Sequence, residues 1–361
     1  MDRLGLVGLP NCGKSALFNA LTGGDALVAS HPFSTIETEV GVAHVPDPRL
    51  DALAKMSESK KVVPATFEVV DIAGIQKSSE HGDARGLGSR FLAGLREVDA
   101  LALVLRQFRD DSAPGEEDVL EALATLELEL VLADATSLET QLERSAKRRA
   151  ATDPSLTAAL AVAPTALEHL HAGTPLYRSG VATVDREALR PLFLLTTKPL
   201  LVVLNIGEDE IGSEGETVAR IHSELGGASE VLAVSVQLEA EAAKLDGAER
   251  QEMLEGLGLG EGALVRVARA AWHILGRQTF FTTGDKESRA WMFRAGAKAP
   301  ECAGVIHSDL QRGFIKADVI RWDELLAAGS FAAARAKGKV RLEGKDYVVH
   351  DGDVLEIRFN V

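Results

Sequence analysis

Eight residues near the start of the chain, Gly8-Leu9-Pro10-Asn11-Cys12-Gly13-Lys14-Ser15, fit the spacing G-x-x-x-x-G-K-[ST] in full. That spacing does phosphate chemistry. Its glycines let the backbone curl until successive N–H groups face one anion. A helix opening at Gly13 adds its positive end. Lys14 brings an ammonium to the β- and γ-phosphates, and the Ser15 hydroxyl is a hard oxygen for Mg2+. Asn11, Cys12, Gly13, Lys14, Ser15 and Ala16 are therefore the residues expected against a nucleotide. An apolar run over residues 4–9 precedes the motif and a helical stretch over 14–21 follows it, which is the strand–loop–helix context the motif needs.

A second apolar run, 67–72, ends in Asp71-Ile72-Ala73-Gly74. An Asp at that place meets Mg2+ through water, and Gly74 lets a backbone N–H approach the γ-phosphate. D-x-x-G alone is a common strand-ending turn; its place after a phosphate loop gives it weight. Between the two lies His31-Pro32-Phe33-Ser34-Thr35, where Thr35 is expected to offer its hydroxyl to Mg2+ in a loop that closes over the γ-phosphate. The catalytic set read this way is Lys14, Thr35, Gly74 and Asn11, and the metal set is Ser15, Thr35 and Asp71. Cys12, beside a helix N-terminus, invites a lowered thiol pKa and a redox role. A small apolar side chain in a tight loop is the plainer account of it.

These residues need a scaffold. The first 110 residues alternate strand-like runs (4–9, 65–71, 100–105) with helical stretches, the pattern of a parallel sheet with covering helices. Residues 116–150 then read as one long helix with a seam at Ala124, Leu128, Val131, Ala135, Leu138 and Leu142. Asp153-Pro154 caps a second helix with a matching seam at Leu156, Leu160, Ala163, Leu167 and Leu170, and Pro164 is expected to kink or split it. Two such helices fold back as an antiparallel arm inserted in the α/β domain. The α/β pattern resumes with a buried strand at 199–205, a strand at 231–235 and a helix at 264–275. From Thr279 short strands (289–293, 340–342, 347–350, 354–359) alternate with turns at 343–346 and 350–353. The expected division is a nucleotide-binding domain over 1–112 and 195–278, a helical insertion over 113–194, and a small β-rich domain over 279–361.

The sequence is 46% hydrophobic and 26% charged, which suits a globular fold with a sizeable core. The formal net charge of −15 argues against general coating of DNA or RNA but allows a local basic patch. No apolar run is long enough to span a membrane, and the opening residues MDRLGLVGLP do not read as a signal peptide. Two cysteines, Cys12 and Cys302, without ligand spacing, suggest a reducing, cytoplasmic setting.

Together the stretches GLPNCGKSALFNALT, HPFSTIE, VPDPRLDAL, FEVVDIAGI, QTFFTTGDKESRAW, VIHSDLQRGFIKADVI and RLEGKDYVVHDGDVLEIRFNV resemble the YchF family, the Obg-like ATPases of the translation-factor class. The likeness runs from residue 3 to residue 361. It implies an α/β P-loop NTPase sheet, an inserted antiparallel helical arm, and a C-terminal TGS domain of β-grasp-like form. It further implies a Mg2+-dependent nucleoside triphosphatase that hydrolyses ATP and, secondarily, GTP, and binds the ribosome; a monomer is the expected state. K+ beside the nucleotide, held with the help of Asn11, is a further implied cofactor; a plain turn role explains Asn11 equally.

Guanine-specific relatives read the base with N-K-x-D at a strand end. Here the corresponding residues are Asn205-Ile206-Gly207-Glu208, so Asn205, Ile206 and Glu208 are the base-side candidates. Loss of the fitted Lys and Asp should weaken guanine selectivity. Ile75 stands where Ras-type enzymes carry the water-positioning Gln, so slow intrinsic turnover is expected. Ala16 and Arg85 depart from the family's Thr and Glu. Lys147-Arg148-Arg149 near the arm tip, and Lys286, Arg289, Arg294, Lys298, Arg312 and Lys316 with nearby aromatics, are candidate ribosomal contacts; solvated faces and core packing are the bland explanations. Two outputs share this site: a slow ATPase accelerated by a partner, or a GTP-preferring switch whose output is binding.

Overall fold

The computed structural model describes residues 2–23, 38–72, 89–108, 118–147, 153–245, 247–257 and 259–360. In chain order the first stretch holds β1 (Arg3–Val7), α1 (Lys14–Thr22), β2 (Thr38–Val45), α2 (Pro48–Met56), β3 (Val62–Val63) and β4 (Ala65–Ile72). Next come α3 (Ser89–Arg96), β5 (Ala100–Arg106), α4 (Val119–Lys147), α5 (Pro154–His171), α6 (Thr183–Ala188) and β6 (Leu200–Asn205). They are followed by α7 (Gly215–Glu224), β7 (Glu230–Val234), α8 (Val236–Ala242), α9 (Gly247–Gly256) and α10 (Ala263–Ile274). The C-terminal part holds β8 (Arg277–Thr282), β9 (Ser288–Arg294), α11 (Ala299–Ile306), α12 (Ser308–Arg312), β10 (Phe314–Arg321), α13 (Trp322–Ala328), α14 (Phe331–Ala336), β11 (Arg341–Glu343) and β12 (Asp353–Phe359).

The chain divides into two compact units, residues 1–43 with 68–271, and residues 44–67 with 272–361. The first is built on a sheet of order β2-β4-β1-β5-β6-β7, in which β1–β4, β1–β5, β5–β6 and β6–β7 pair in parallel. The runs ALALVLR of β5 and LLVVLN of β6 are almost wholly buried because helices cover both faces of the central strands. Phosphate loop, Asp71 and Asn205 all come from carboxyl ends of these parallel strands, where open α/β sheets place their ligands.

The helical arm exists, but its seam is shorter than the spacing implies. Val131, Ala135 and Leu138 pack with Ala159, Ala163, Ala166 and Leu170 of α5, whereas Leu128 is 51% exposed and Ala124 also faces out. The reason is a change of partner along α4. Its first turns bury Leu123, Leu126 and Leu130 in the core around the sheet, on a different face of the helix. α5 also runs unbroken through Pro164, so of the expected kink or split the split does not occur. Pro164 is exposed, so water can satisfy the carbonyl it strands, while the alanines on the buried side hold the two helices together. Asp153 caps α5 as expected, its side chain accepting from Ser155 N at 2.8 Å.

The second unit has a sheet of order β11-β10-β12-β8-β9-β3. Phe280, Phe293 and Phe314 pack with Ala299, Cys302 and Ala303 of α11 in its core. Two expectations need correction here. Residues 347–350 form no named strand, only an isolated bridge from Val348 to Lys298, because Tyr347 and His350 are taken up by Asp353 at a turn. Four short helices accompany the five named strands of the module. Residues 44–67, read as part of the nucleotide-binding domain, group with this unit: α2 buries Leu50, Leu53 and Ala54, and β3 extends the sheet beside β9.

Candidate nucleotide site

The apolar β1, with Leu4, Leu6 and Val7 fully buried, releases the chain into the phosphate loop. Asn11 (φ 64°) and Gly13 (φ 88°) both take the left-handed region, which curls the loop tightly. A side chain is excluded at both glycines of the motif. A Cβ on Gly8 would collide with Cys12 Sγ and stand 2.9 Å from Val104 O, and one on Gly13 would strike Asn205 Nδ2. Gly13 caps α1, whose first residues are Lys14 and Ser15.

Lys14 and Ser15 converge on Asp71, 57 and 56 residues away in sequence. The Lys14 ammonium donates to Asp71 Oδ1 and, at 3.1 Å, to Ile72 O; the Ser15 hydroxyl donates to Asp71 Oδ2 at 2.6 Å. Lys14 is 8% and Asp71 4% exposed. A lone buried charge would cost several kcal/mol, about what pairing offsets. The Ser15 hydroxyl and Asp71 carboxylate are the hard oxygens that Mg2+ takes, and a metal completed by phosphate and water needs few protein ligands. The residues present therefore fit Mg2+. Thr35, Gly74, Ile75 and Arg85 lie outside the described residues, as do Arg148 and Arg149.

Asn205 ends β6 and is 5% exposed. Its Nδ2 donates to Cys12 O at 3.0 Å and its Oδ1 accepts from Val236 N at 3.2 Å. Both ends of the amide are thus engaged by backbone, and Asn205 braces the phosphate loop against the start of α8. Ile206 is buried, its N–H bonded to Val234 O. Glu208 is exposed in a short turn, Glu208–Glu210, steadied by Gly207 N donating to Glu210 Oε2 at 2.9 Å. Ala16 is exposed on the first turn of α1.

The sequence reading missed Phe108. Its ring lies 3.9 Å from where a Cβ of Gly13 would stand, and its Cβ 3.6 Å from that of Gly207, so it sits between the phosphate loop and the base-side loop. Arg106 lies 4.6 Å from the ring centroid and donates to Phe108 O at 3.1 Å. The available signal was an aromatic two residues past β5, at the same sheet edge as the motif.

Cys12 is 3% exposed, and burial, the dominant cause, pushes its thiol up to about 11. The nearby Lys14 and backbone N–H groups only partly offset this. Burial therefore works against the thiolate that a redox role would need and favours Cys12 as a small packing residue. In the second unit, Phe280, Phe281, Phe293 and Phe314 are core, as the bland explanation has it. Arg289 stacks 4.2 Å from the Trp291 ring centroid; Lys298 and Arg312 pair with Asp346 and Asp309. His307 caps α12, its Nδ1 accepting from Asp309 N at 3.2 Å.

The family described as 50S ribosome-binding GTPase matches residues 3–135, and YchF-GTPase_C, described as a protein of unknown function, matches residues 277–360. A Bacillus subtilis protein named "Ribosome-binding ATPase YchF" is 44% identical over 363 residues, covering 99% of both chains. A Haemophilus influenzae protein of the same name is 41% identical over 364 residues, again covering 99% of each. The solved structure of the Schizosaccharomyces pombe YchF GTPase superposes with a TM-score of 0.84 at 30% identity, over 99% of this chain and 97% of that one. A GTP-binding protein from Pyrococcus horikoshii, with a TM-score of 0.60 at 18% identity over the whole of both chains, shares the fold. On full-length identity, shared fold and a matching phosphate loop, the chain belongs to the YchF family.

Proposed function

We infer that this protein is a Mg2+-dependent nucleoside triphosphatase that binds ATP, and secondarily GTP, and acts on the ribosome as a nucleotide-controlled factor. The observation that carries the reading is the convergence of Lys14 and Ser15 on Asp71 beneath a loop curled by Asn11 and Gly13. Backbone N–H groups of the loop hold the phosphates, and Lys14 neutralises their charge. Ser15 and Asp71 would hold Mg2+, which would offset phosphate charge, and Thr35 would close the switch loop. Asn205 keeps the loop in its binding shape, and Ile206, Glu208 and Phe108 border the base. The base-side turn carries Glu208 in place of a guanine-reading Asp, which favours ATP at least equal to GTP.

The relatives' printed name supports ribosome binding here, and with it a cytoplasmic setting. In the second unit Lys and Arg outnumber Asp and Glu, so the acidic excess of the chain belongs to the first unit. A mildly basic unit within an otherwise acidic chain suits contact with an RNA-rich partner. No described helix is long and apolar enough to cross a membrane. The protein acts as a monomer in this reading. K+ at Asn11 remains part of the proposal, with equal turnover in sodium and potassium as the result against it.

The test is titration calorimetry with ATP, GTP and Mg2+, then single-turnover hydrolysis with and without ribosomes. Lys14→Ala should abolish binding of both nucleotides. A large GTP advantage would overturn the ATP assignment, and no Mg2+-supported affinity for either nucleotide would overturn the reading as a whole.

A further inference from the structure

We propose that the strand bearing Asp71 transmits the nucleotide state of the phosphate site to the C-terminal unit. The proposal rests on the nucleotide-binding reading above. β4 delivers Asp71 to Lys14 and Ser15, and Glu68–Asp71 pair in register with Arg3–Leu6 of β1. Pro64 alone separates β4 from β3, and β3 belongs to the other sheet, where Val62 and Val63 pair with Ser288 and Arg289 of β9. Proline fixes φ and donates no hydrogen bond, so this joint has little freedom. An extended strand rises about 3.3 Å per residue and has no slack to take up. A displacement of Asp71 along the strand therefore reaches Val63 unless β4 bends or loses its pairing.

The far end is fastened more firmly than a tether needs. Lys60 N donates to Asp285 O at 3.0 Å, Ser288 N to Lys61 O at 2.9 Å, and Ser59 Oγ to Gly284 O at 2.7 Å. A relay of hydroxyls continues the fastening: Ser59 to Ser288 at 2.7 Å, Ser288 to Thr283 at 2.6 Å, and Thr283 to Ser57 at 2.7 Å. Upstream in the same segment, Arg49 bonds Asp351 at 2.5 Å and lies 5.2 Å from the Phe281 ring centroid. The turn 284–288 thus takes the bonds of Ser59, Lys60 and Lys61, the residues just before β3, and it is the place where a pull on Asp71 is expected to register. If residues 44–67 merely completed the core of the second unit, through Leu50, Leu53 and Ala54, nucleotide would leave that turn unchanged.

The experiment is hydrogen–deuterium exchange of the full chain with and without Mg2+ and a non-hydrolysable ATP analogue, with binding checked by a fluorescent nucleotide. Exchange of peptides covering 59–63 and 284–290 should change several-fold, while α11 stays constant. Two glycines inserted after Pro64 should leave the response around Asp71 and abolish it at 284–290. Should that insertion fail to fold, Ser59→Ala with Ser288→Ala should at least halve the response. Binding without any change at 284–290, or an unchanged response in whichever variant folds, overturns the strand's role and leaves the nucleotide reading standing. Absence of nucleotide binding removes both.

Discussion

Replacing Asn205 separates two roles that the sequence assigns to one residue. Its amide joins Cys12 O at 3.0 Å and Val236 N at 3.2 Å, and both bonds are buried. Asn205→Ala orphans one backbone acceptor and one backbone donor, each worth about 1–3 kcal/mol when left unpaired. Partial relaxation and water entry into the space left behind bring the expected loss of stability to about 2–4 kcal/mol. The bond to Cys12 O also holds the phosphate loop in its curled state. Losing a net ~1.4 kcal/mol there lets other loop shapes compete and weakens nucleotide binding about tenfold. A brace acts on the phosphates, which all nucleotides share, so ATP and GTP should weaken by the same factor. Asn205→Asp keeps an acceptor for Val236 N but turns a carboxylate oxygen toward Cys12 O and adds a negative charge beside the phosphates. It should therefore bind both nucleotides more weakly than the alanine variant. Urea unfolding gives the stability and calorimetry the two affinities. A loss confined to one purine, or an unchanged affinity in Asn205→Ala, would refute the bracing argument.

Gly8→Val should prevent nucleotide binding, because a Cβ there meets Cys12 Sγ and the Val104 carbonyl and the loop must distort; equilibrium binding to a fluorescent nucleotide measures it. Cys12 should resist alkylation at neutral pH in the folded protein and react once denatured, since burial holds its thiol near 11; mass spectrometry after a timed iodoacetamide pulse distinguishes the outcomes. Asp134 accepts from Leu195 N, Thr196 N and Thr196 Oγ1 at 2.7–2.8 Å, yet burial, the largest cause, raises its pKa above the ordinary carboxylate value. The folded state then binds the extra proton between the unfolded pKa of about 3.9 and the raised folded one, so this carboxyl makes stability fall as pH rises through that window. Comparison with Asp134→Asn by urea unfolding at pH 4 and pH 7 should show the wild type relatively favoured at the lower pH; an opposite slope counts against the assignment.

The motif at residues 8–15 and the strands that flank it were legible because local sequence sets them. Gly8 and Gly13 are required by collisions that any curled loop of this kind would create. Asp71 was legible through spacing, since it closes a strand that must lie beside β1. Asn205 was legible as a strand-end residue on the base side, but its bracing of the phosphate loop through two amide bonds shows only in the folded chain. Phe108 escaped because an aromatic past a strand looks like any other until the loops around Gly13 and Gly207 come together. The arm was visible as two helices, yet its seam was overextended, because a stripe of leucines does not say which of its members face a sheet and which a helix.

By itself the sequence determined the phosphate chemistry, the order of strands and helices, and the family, since each depends on residue types at short fixed spacings. Tertiary structure alone decided which groups share a centre and where the units divide. Lys14, Ser15 and Asp71 meet only because parallel pairing sets β4 against β1 in one register. Residues 44–67 leave the first unit for the second because their apolar side chains and strand edge find partners near residues 277–294, a choice made by long-range packing that no local pattern encodes.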